Sequence, residues 1–160
     1  MRIGVIGDTH GDVYCMEKAA KAAGLVDLWL HTGDFYRDGM WLASRSGVPV
    51  TVVAGNCDGR GEAKPDEFVE VAGYRIWLTH GHRHGVKRNL DDLRDWARRY
   101  EADIVVYGHT HQADITQESE CLFFNPGSAA LPRHGKLRTC GLLELAPDRN
   151  GILPRLISIH

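Results

Sequence analysis

Arg2-Ile3-Gly4-Val5-Ile6-Gly7-Asp8-Thr9-His10 is the stretch that decides the reading of this chain. A short apolar, β-branched run ends in glycine, and a carboxylate and an imidazole follow at alternate positions, as a strand emptying into a ligand-bearing loop would. The arrangement returns downstream. Leu28-Trp29-Leu30 leads to Gly33-Asp34, and Val50-Thr51-Val52-Val53 leads to Gly55-Asn56-Cys57-Asp58. Arg75 to Thr79 leads to His80-Gly81-His82, and Ile104-Val105-Val106-Tyr107 leads to Gly108-His109-Thr110-His111. Positions 8, 34, 56, 80 and 109 are separated by 26, 22, 24 and 29 residues. Such intervals fit strand, connection, strand units, whose loops at the carboxyl ends of parallel strands converge on one edge of a sheet.

Outside the clusters, short β-branched runs alternate with helix-like segments through the first half, which predicts a largely parallel arrangement there. Met16 to Ala23 is rich in strong helix formers and stops at Gly24. Asn89 is placed to cap a helix whose apolar positions Leu90, Leu93, Trp96, Ala97 and Tyr100 recur at steps of three and four. Phe68 to Val71 and Arg75 to Thr79 flank Ala72-Gly73 as a hairpin. Ile115 to Gln117, Cys121 to Phe124, Leu142 to Ala146 and Leu156 to Ile159 supply later strands, so the second half is expected to be mostly antiparallel. That is too many strands for one open sheet in so small a protein, and an α/β fold of two packed mixed sheets with helices outside is the expectation.

With 160 residues, the chain reads as a single domain, 1–160, able to bury a core without staples. Cys15, Cys57, Cys121 and Cys140 form no C-x-x-C pair, and no apolar run approaches bilayer length, so a reducing cytoplasm is the expected location and no membrane partner is expected. A formal net charge of −2 argues against an extended nucleic-acid surface. Arg94, Arg98 and Arg99 interleave with Asp91, Asp92 and Asp95, which reads as a salt-bridged helix face rather than a basic track. The four tryptophans leave room for either a rich core or a homo-oligomer surface.

Taken singly, Asp8 or Asn56 would more often be a helix cap or turn residue than a ligand. Their joint occurrence with four histidines overturns that prior. Asp8 and His10 can turn to the same side and hold one ion, Asn56 offers a neutral oxygen, and His80, His109 and His111 offer imidazole nitrogens. Two divalent cations about 3.5–4 Å apart need a ligand that touches both, and Asp34, behind a glycine, is the candidate bridge. The mixed N/O set suits manganese first, with nickel, iron, zinc or cobalt as alternatives, rather than calcium. His31 reads as a packed, hydrogen-bonded histidine, His84, His134 and His160 as exposed, and Cys15, Cys121 and Cys140 as core fillers.

The series D-x-H, G-D, G-N-C-D, H and G-H-x-H resembles the calcineurin-like metallophosphoesterase superfamily from Asp8 to His111. The Gly-Asn-Cys-Asp version, the compact length and Asn125-Pro126-Gly127-Ser128 are similar to its small bacterial and archaeal phosphodiesterase branch. The resemblance implies a four-layer αββα sandwich. It also implies one metal on Asp8, His10, Asp34 and His111 and a second on Asp34, Asn56, His80 and His109. Phosphodiester hydrolysis by in-line attack of a metal-bridging hydroxide would follow, with a small phosphodiester, a nucleotide included, as substrate. Asn125 to Ser128 would close the rim of the site.

Cys57 departs from the histidine that many larger relatives carry as presumed proton donor. Either His82 donates instead, or the enzyme favours esters whose leaving groups need little help. Asp58 is expected to orient Asn56 or its neighbour. Two other classes compete: a non-catalytic protein-binding scaffold of the same fold, as in a eukaryotic retromer subunit, and a metal sensor or store. All seven ligand positions are filled, which a scaffold would not require.

Overall fold

The computed structural model describes residues 1–160. The chain runs β1 (Arg2–Ile6), α1 (Val13–Ala23), β2 (Leu28–His31), α2 (Tyr36–Ser46), β3 (Val50–Val52), β4 (Asp66–Val71) and β5 (Tyr74–Thr79). It continues through α3 (Asp91–Tyr100), β6 (Ile104–Val106), β7 (Ala113–Gln117), β8 (Leu122–Pro126), β9 (Thr139–Leu145) and β10 (Ile152–Ser158). Two five-stranded sheets result, ordered β10-β9-β1-β2-β3 and β4-β5-β6-β8-β7. Both are mixed: β1, β2 and β3 are parallel, as are β5, β6 and β8, while β9, β10, β4 and β7 join antiparallel at the flanks. The expected antiparallel second half therefore holds only outside the β5-β6-β8 centre, where α3 provides a crossover that allows parallel pairing.

Side-chain alternation explains why the strands read as unbroken apolar runs. Ile3, Val5, Leu28 and Leu30 face Ile76, Leu78, Ile104, Val106 and Phe124 across the gap between the sheets. On the reverse face of the first sheet, Ile6 and Trp29 pack with Met16, Ala19 and Leu42 of the first two helices. On the reverse face of the second, Trp77, Val105 and Phe123 pack with Leu93 and Ala97 of α3. Central strands are thus covered on both sides, so no polar face survives in their sequence. No helix is long and apolar enough to cross a membrane.

The helices obey local chemistry with two departures. Asp12 caps α1 by accepting from the Cys15 N–H at 3.0 Å, and Gly24 ends it at φ 73°. The Asn89 expectation is corrected: Leu90 is the cap residue of α3, and the Asn89 side chain instead accepts from the Asp91 N–H at 3.1 Å, a turn just outside the helix. α2 begins behind Phe35, a left-handed residue without a side-chain cap, so its start carries no sequence signal. On α3 the interleaved charges pair as Arg94 with Asp91 and Arg98 with Asp95, the salt-bridged face that the pattern predicts.

Candidate metal centre

Every predicted ligand follows the carboxyl end of a parallel strand: Asp8 and His10 after β1, Asp34 after β2, Asn56 after β3, His80 after β5, and His109 and His111 after β6. Their backbones are unusual. Asp8, His10, Asp34, His109 and His111 have φ of 49°, 47°, 55°, 69° and 58°, left-handed values that side-chain-bearing residues adopt at a cost. Such conformations persist where the surroundings over-determine them, and they gather at functional sites. Glycines make the close approach possible: a Cβ on Gly33 would stand 2.8 Å from the Gly55 nitrogen, and one on Gly55 would stand 2.1 Å from Asp34 Oδ1.

One ligand atom from each of Asp8, His10, Asp34 and His111 lies within 4.8 Å of all the others. His111 Nε2 is 3.4 Å from His10 Nε2 and 3.5 Å from Asp8 Oδ1, and His10 Nε2 is 3.8 Å from Asp34 Oδ2. The His111 Nδ1–H donates to the Leu131 carbonyl at 2.6 Å, which turns an unprotonated Nε2 inward. Asp8 Oδ2 accepts from the His109 N–H at 3.0 Å, whereas Asp8 Oδ1 is buried without a hydrogen-bond partner. A buried orphan carboxylate oxygen is costly unless a cation meets it. Burial, and then the charge of Asp34, push the Asp8 carboxyl up to about 8 against the pull of that N–H. A divalent ion would reverse the balance.

The second group has the same chemistry. His80 Nδ1–H donates to the Thr32 carbonyl at 2.8 Å, so Nε2 presents a lone pair. That lone pair faces Asn56 Oδ1 at 3.1 Å and Asp34 Oδ1 at 3.5 Å, both acceptors. His109 packs edge-on against His80 with ring centroids 5.0 Å apart. Burial, and then His80, push His109 down to about 4, and burial lowers His80 as well, so both rings stay neutral and able to ligate. Asp34 addresses both groups, one oxygen toward each.

Around this set, Cys57 is exposed, and its N–H donates to Asp34 Oδ1 at 2.8 Å. Burial, then the Asp34 charge, push its thiol up to about 11, so it is a neutral and very weak acid. The His82 ring lies 5.3 Å from that of His80 and 6.0 Å from that of His109, with Nδ1 buried and unpartnered. Asp58 makes no hydrogen bond to Asn56 but accepts from its neighbour Gly55 N at 2.7 Å and from Tyr36 N at 2.6 Å, tying the Asn56 loop to the start of α2. Asn125 donates to the Gly108 carbonyl and the Thr110 hydroxyl, and Ser128 donates to the Asp8 carbonyl at 2.8 Å, so Asn125 to Ser128 braces two ligand loops from below.

His31 is fully buried and hydrogen-bonded, as expected. His84 is not exposed as expected: it is buried edge-on against Trp77, with Nδ1 2.5 Å from Asp92. Cys15 and Cys140 are buried and Cys121 is half-buried. Sequence reasoning did not find Thr32 and Leu131, whose carbonyls orient the candidate ligands His80 and His111, or Thr9 and Asp38, which tie the candidate ligand loops together. Thr9, inside D-x-H, was findable as a hydroxyl at the turn; Leu131 acts through its carbonyl and leaves no side-chain signal.

The calcineurin-like phosphoesterase superfamily domain matches residues 1–148, which is most of the chain. The chain belongs to that superfamily. The probable metallophosphoesterase YsnB of Bacillus subtilis is 37% identical over 150 residues, covering 92% of this chain and 86% of that protein. The phosphodiesterase YfcE of Escherichia coli K12 is 35% identical over 103 residues, covering 59% of this chain and 52% of YfcE. A predicted phosphoesterase of Streptococcus pneumoniae superposes with a TM-score of 0.77 at 28% identity, covering 96% of this chain and 97% of that one. Family membership implies divalent metals, and the donors fit them: a buried orphan carboxylate oxygen, inward imidazole lone pairs and a carboxylate shared between two groups.

Proposed function

We propose that the chain is a metal-dependent phosphodiesterase that works with two divalent ions, manganese foremost, on a small phosphodiester such as a nucleotide. The observation that carries this reading is the meeting of His80 Nε2, Asn56 Oδ1 and Asp34 Oδ1 around one point without a proton to share, beside a cluster on Asp8, His10 and His111 that uses the other Asp34 oxygen. When bound, the ions supply Lewis acidity that makes water a nucleophile near neutral pH and offsets charge on the phosphoryl oxygens.

The chain's own residues do the rest. Asp34 joins the two halves and fixes their spacing. Two carboxylates against two divalent cations leave excess positive charge, which suits an anionic ester. The leaving group departs on the side of either Cys57 or His82. Cys57 holds its proton too tightly to give it up, whereas burial holds the His82 imidazole below its usual value, which makes its protonated form scarcer but a stronger acid. His82 is therefore our assignment for proton donor.

The phosphodiesterase preference draws support from the likeness to YfcE, and the small charge and absence of a basic track favour a small substrate over a polymer. The test is Asp34→Asn, assayed with Mn²⁺ on bis(4-nitrophenyl) phosphate and on the 4-nitrophenyl monoester. Hydrolysis of the diester should fall by roughly a hundredfold or more, beyond what loss of a supporting residue around a metal causes. Retained activity would remove Asp34 from the bridge.

A further inference from the structure

Two clefts compete for attention as places where a ligand could bind. A cleft of about 650 Å³ at the β4-β5 turn is lined by Glu70, Tyr74, Arg75, Glu101, Asp103 and Arg149, but its cations are already matched. Arg149 pairs with Asp103, and Arg75 pairs with Glu70 at 2.9 Å. It also opens at the amino end of β5, away from the ligand loops. The second cleft, of about 430 Å³, is formed by His111, Leu131, Pro132, Arg133 and His134, and so begins at a candidate metal ligand. Its volume lies within the roughly 300–1,000 Å³ of ordinary small-molecule sites.

The charge in this second cleft is unmatched. None of its lining residues is acidic, and Arg133 forms no ion pair, unlike Arg83, Arg94 and Arg149. The wall is also held in place. His111 donates through Nδ1 to the Leu131 carbonyl, and the Arg133 N–H donates to the His111 carbonyl at 3.4 Å, so Leu131 to Arg133 is clasped to the ligand on both sides. Ser128 adds a third tie by accepting from the Leu131 N–H at 2.8 Å. Leu131 is exposed beside Arg133, an apolar surface on which a sugar or base could rest.

We propose that the cleft of Leu131, Pro132, Arg133 and His134 is a specificity subsite for a second phosphate group on the substrate, so that the preferred diester carries a terminal phosphate on one of its two arms. The proposal rests on the phosphodiesterase reading. A guanidinium is the natural partner for such a group, since its fork of donors matches phosphate oxygens two at a time. A substrate of this kind is a nucleoside bisphosphate esterified at one phosphate and free at the other.

The experiment compares two substrates that differ only in that group: the 4-nitrophenyl ester of thymidine 5′-phosphate, with and without a 3′-phosphate, each hydrolysed by the Mn²⁺-loaded protein. The 3′-phosphate should raise kcat/KM about tenfold or more, the size of one charge-assisted hydrogen bond. Arg133→Ala should bring the ratio of the two kcat/KM values close to one, Arg133→Glu should take it below one, and Arg99→Ala, on the far helix, should keep the wild-type ratio. A wild-type ratio near one, or an unchanged ratio in Arg133→Ala, would overturn the subsite. If neither ester is hydrolysed, the phosphodiesterase reading fails separately, and calorimetric binding of thymidine 3′,5′-bisphosphate to wild type and Arg133→Ala decides the subsite. About tenfold weaker binding to the variant sustains it, and equal binding refutes it.

Discussion

Thr9 and Asp38 are joined by a buried hydrogen bond in which the threonine hydroxyl donates to Asp38 Oδ2 at 2.5 Å. The same hydroxyl lies 3.0 Å from His31 Nε2, and Asp38 Oδ2 also accepts from the Gly11 N–H at 2.8 Å. Because His31 Nδ1 accepts from the Gly33 N–H, its Nε2 carries the proton and donates to Thr9. One chain of hydrogen bonds thus links α2, the Asp8 to Gly11 loop and the Gly33-Asp34 loop, holding two ligand segments in register.

Thr9→Val keeps the volume of the side chain and removes the hydroxyl, leaving His31 and part of Asp38 without a partner. Leaving a buried polar group unpaired costs about 1–3 kcal/mol. In a protein of this size each kcal/mol lowers Tm by about 2–4 °C. Calorimetric melting should show that drop, together with weaker Mn²⁺ binding. An unchanged Tm and an unchanged metal affinity would mean that the linkage does not position the loops.

His31 also predicts a pH dependence. Burial, followed by the influence of His80, pushes it from 6.5 down to about 3, so the folded protein keeps it neutral while the unfolded chain protonates it below 6.5. Between those values the unfolded state binds more protons, and stability must therefore fall as pH falls, by up to about 1.4 kcal/mol per pH unit for one group. The difference between wild type and His31→Gln isolates this contribution from other titrations. Urea unfolding from pH 7 to pH 4 should show wild type losing stability more steeply than the variant; parallel curves would refute it.

Cys57 makes a prediction about chemistry rather than stability. Its thiol, pushed up to about 11, is neutral at pH 7 and too weak an acid to assist departure. Cys57→His places a titratable group near neutrality at the same exposed loop position, and general acid catalysis contributes about 10²-fold or more when well placed. Because His82 is the assigned donor, the variant is read in a His82→Ala background: across aryl phosphodiesters of rising leaving-group pKa, adding Cys57→His should restore rate selectively on the poorest leaving groups. A uniform change across the series would show that proton donation does not limit turnover.

The parts of this molecule that sequence reveals are those in which one residue type does one job at a regular place. Apolar runs mark strands because β1, β2, β5 and β6 are covered on both faces, and the candidate ligands stand out because they follow those strands one cluster at a time. What stayed hidden depends on contacts far apart in the chain. His84 looks like a surface histidine beside Arg83, yet Trp77 and Asp92 enclose it. The start of α2 has no cap from the residue before it, since Phe35 is left-handed, and the Asp58 carboxylate accepts from the Tyr36 N–H from 22 residues away instead. The carbonyl of Leu131 orients His111 from 20 residues away and could not be read from either segment alone.

The most direct test of two-ion catalysis is a Mn²⁺ titration of chelator-stripped protein, with bound metal counted per chain and hydrolysis of bis(4-nitrophenyl) phosphate followed in the same samples. The account predicts little turnover without metal, and activity that climbs to a plateau only as the second ion binds. Full activity with a single ion per chain, or no diester hydrolysis with two bound, would contradict it.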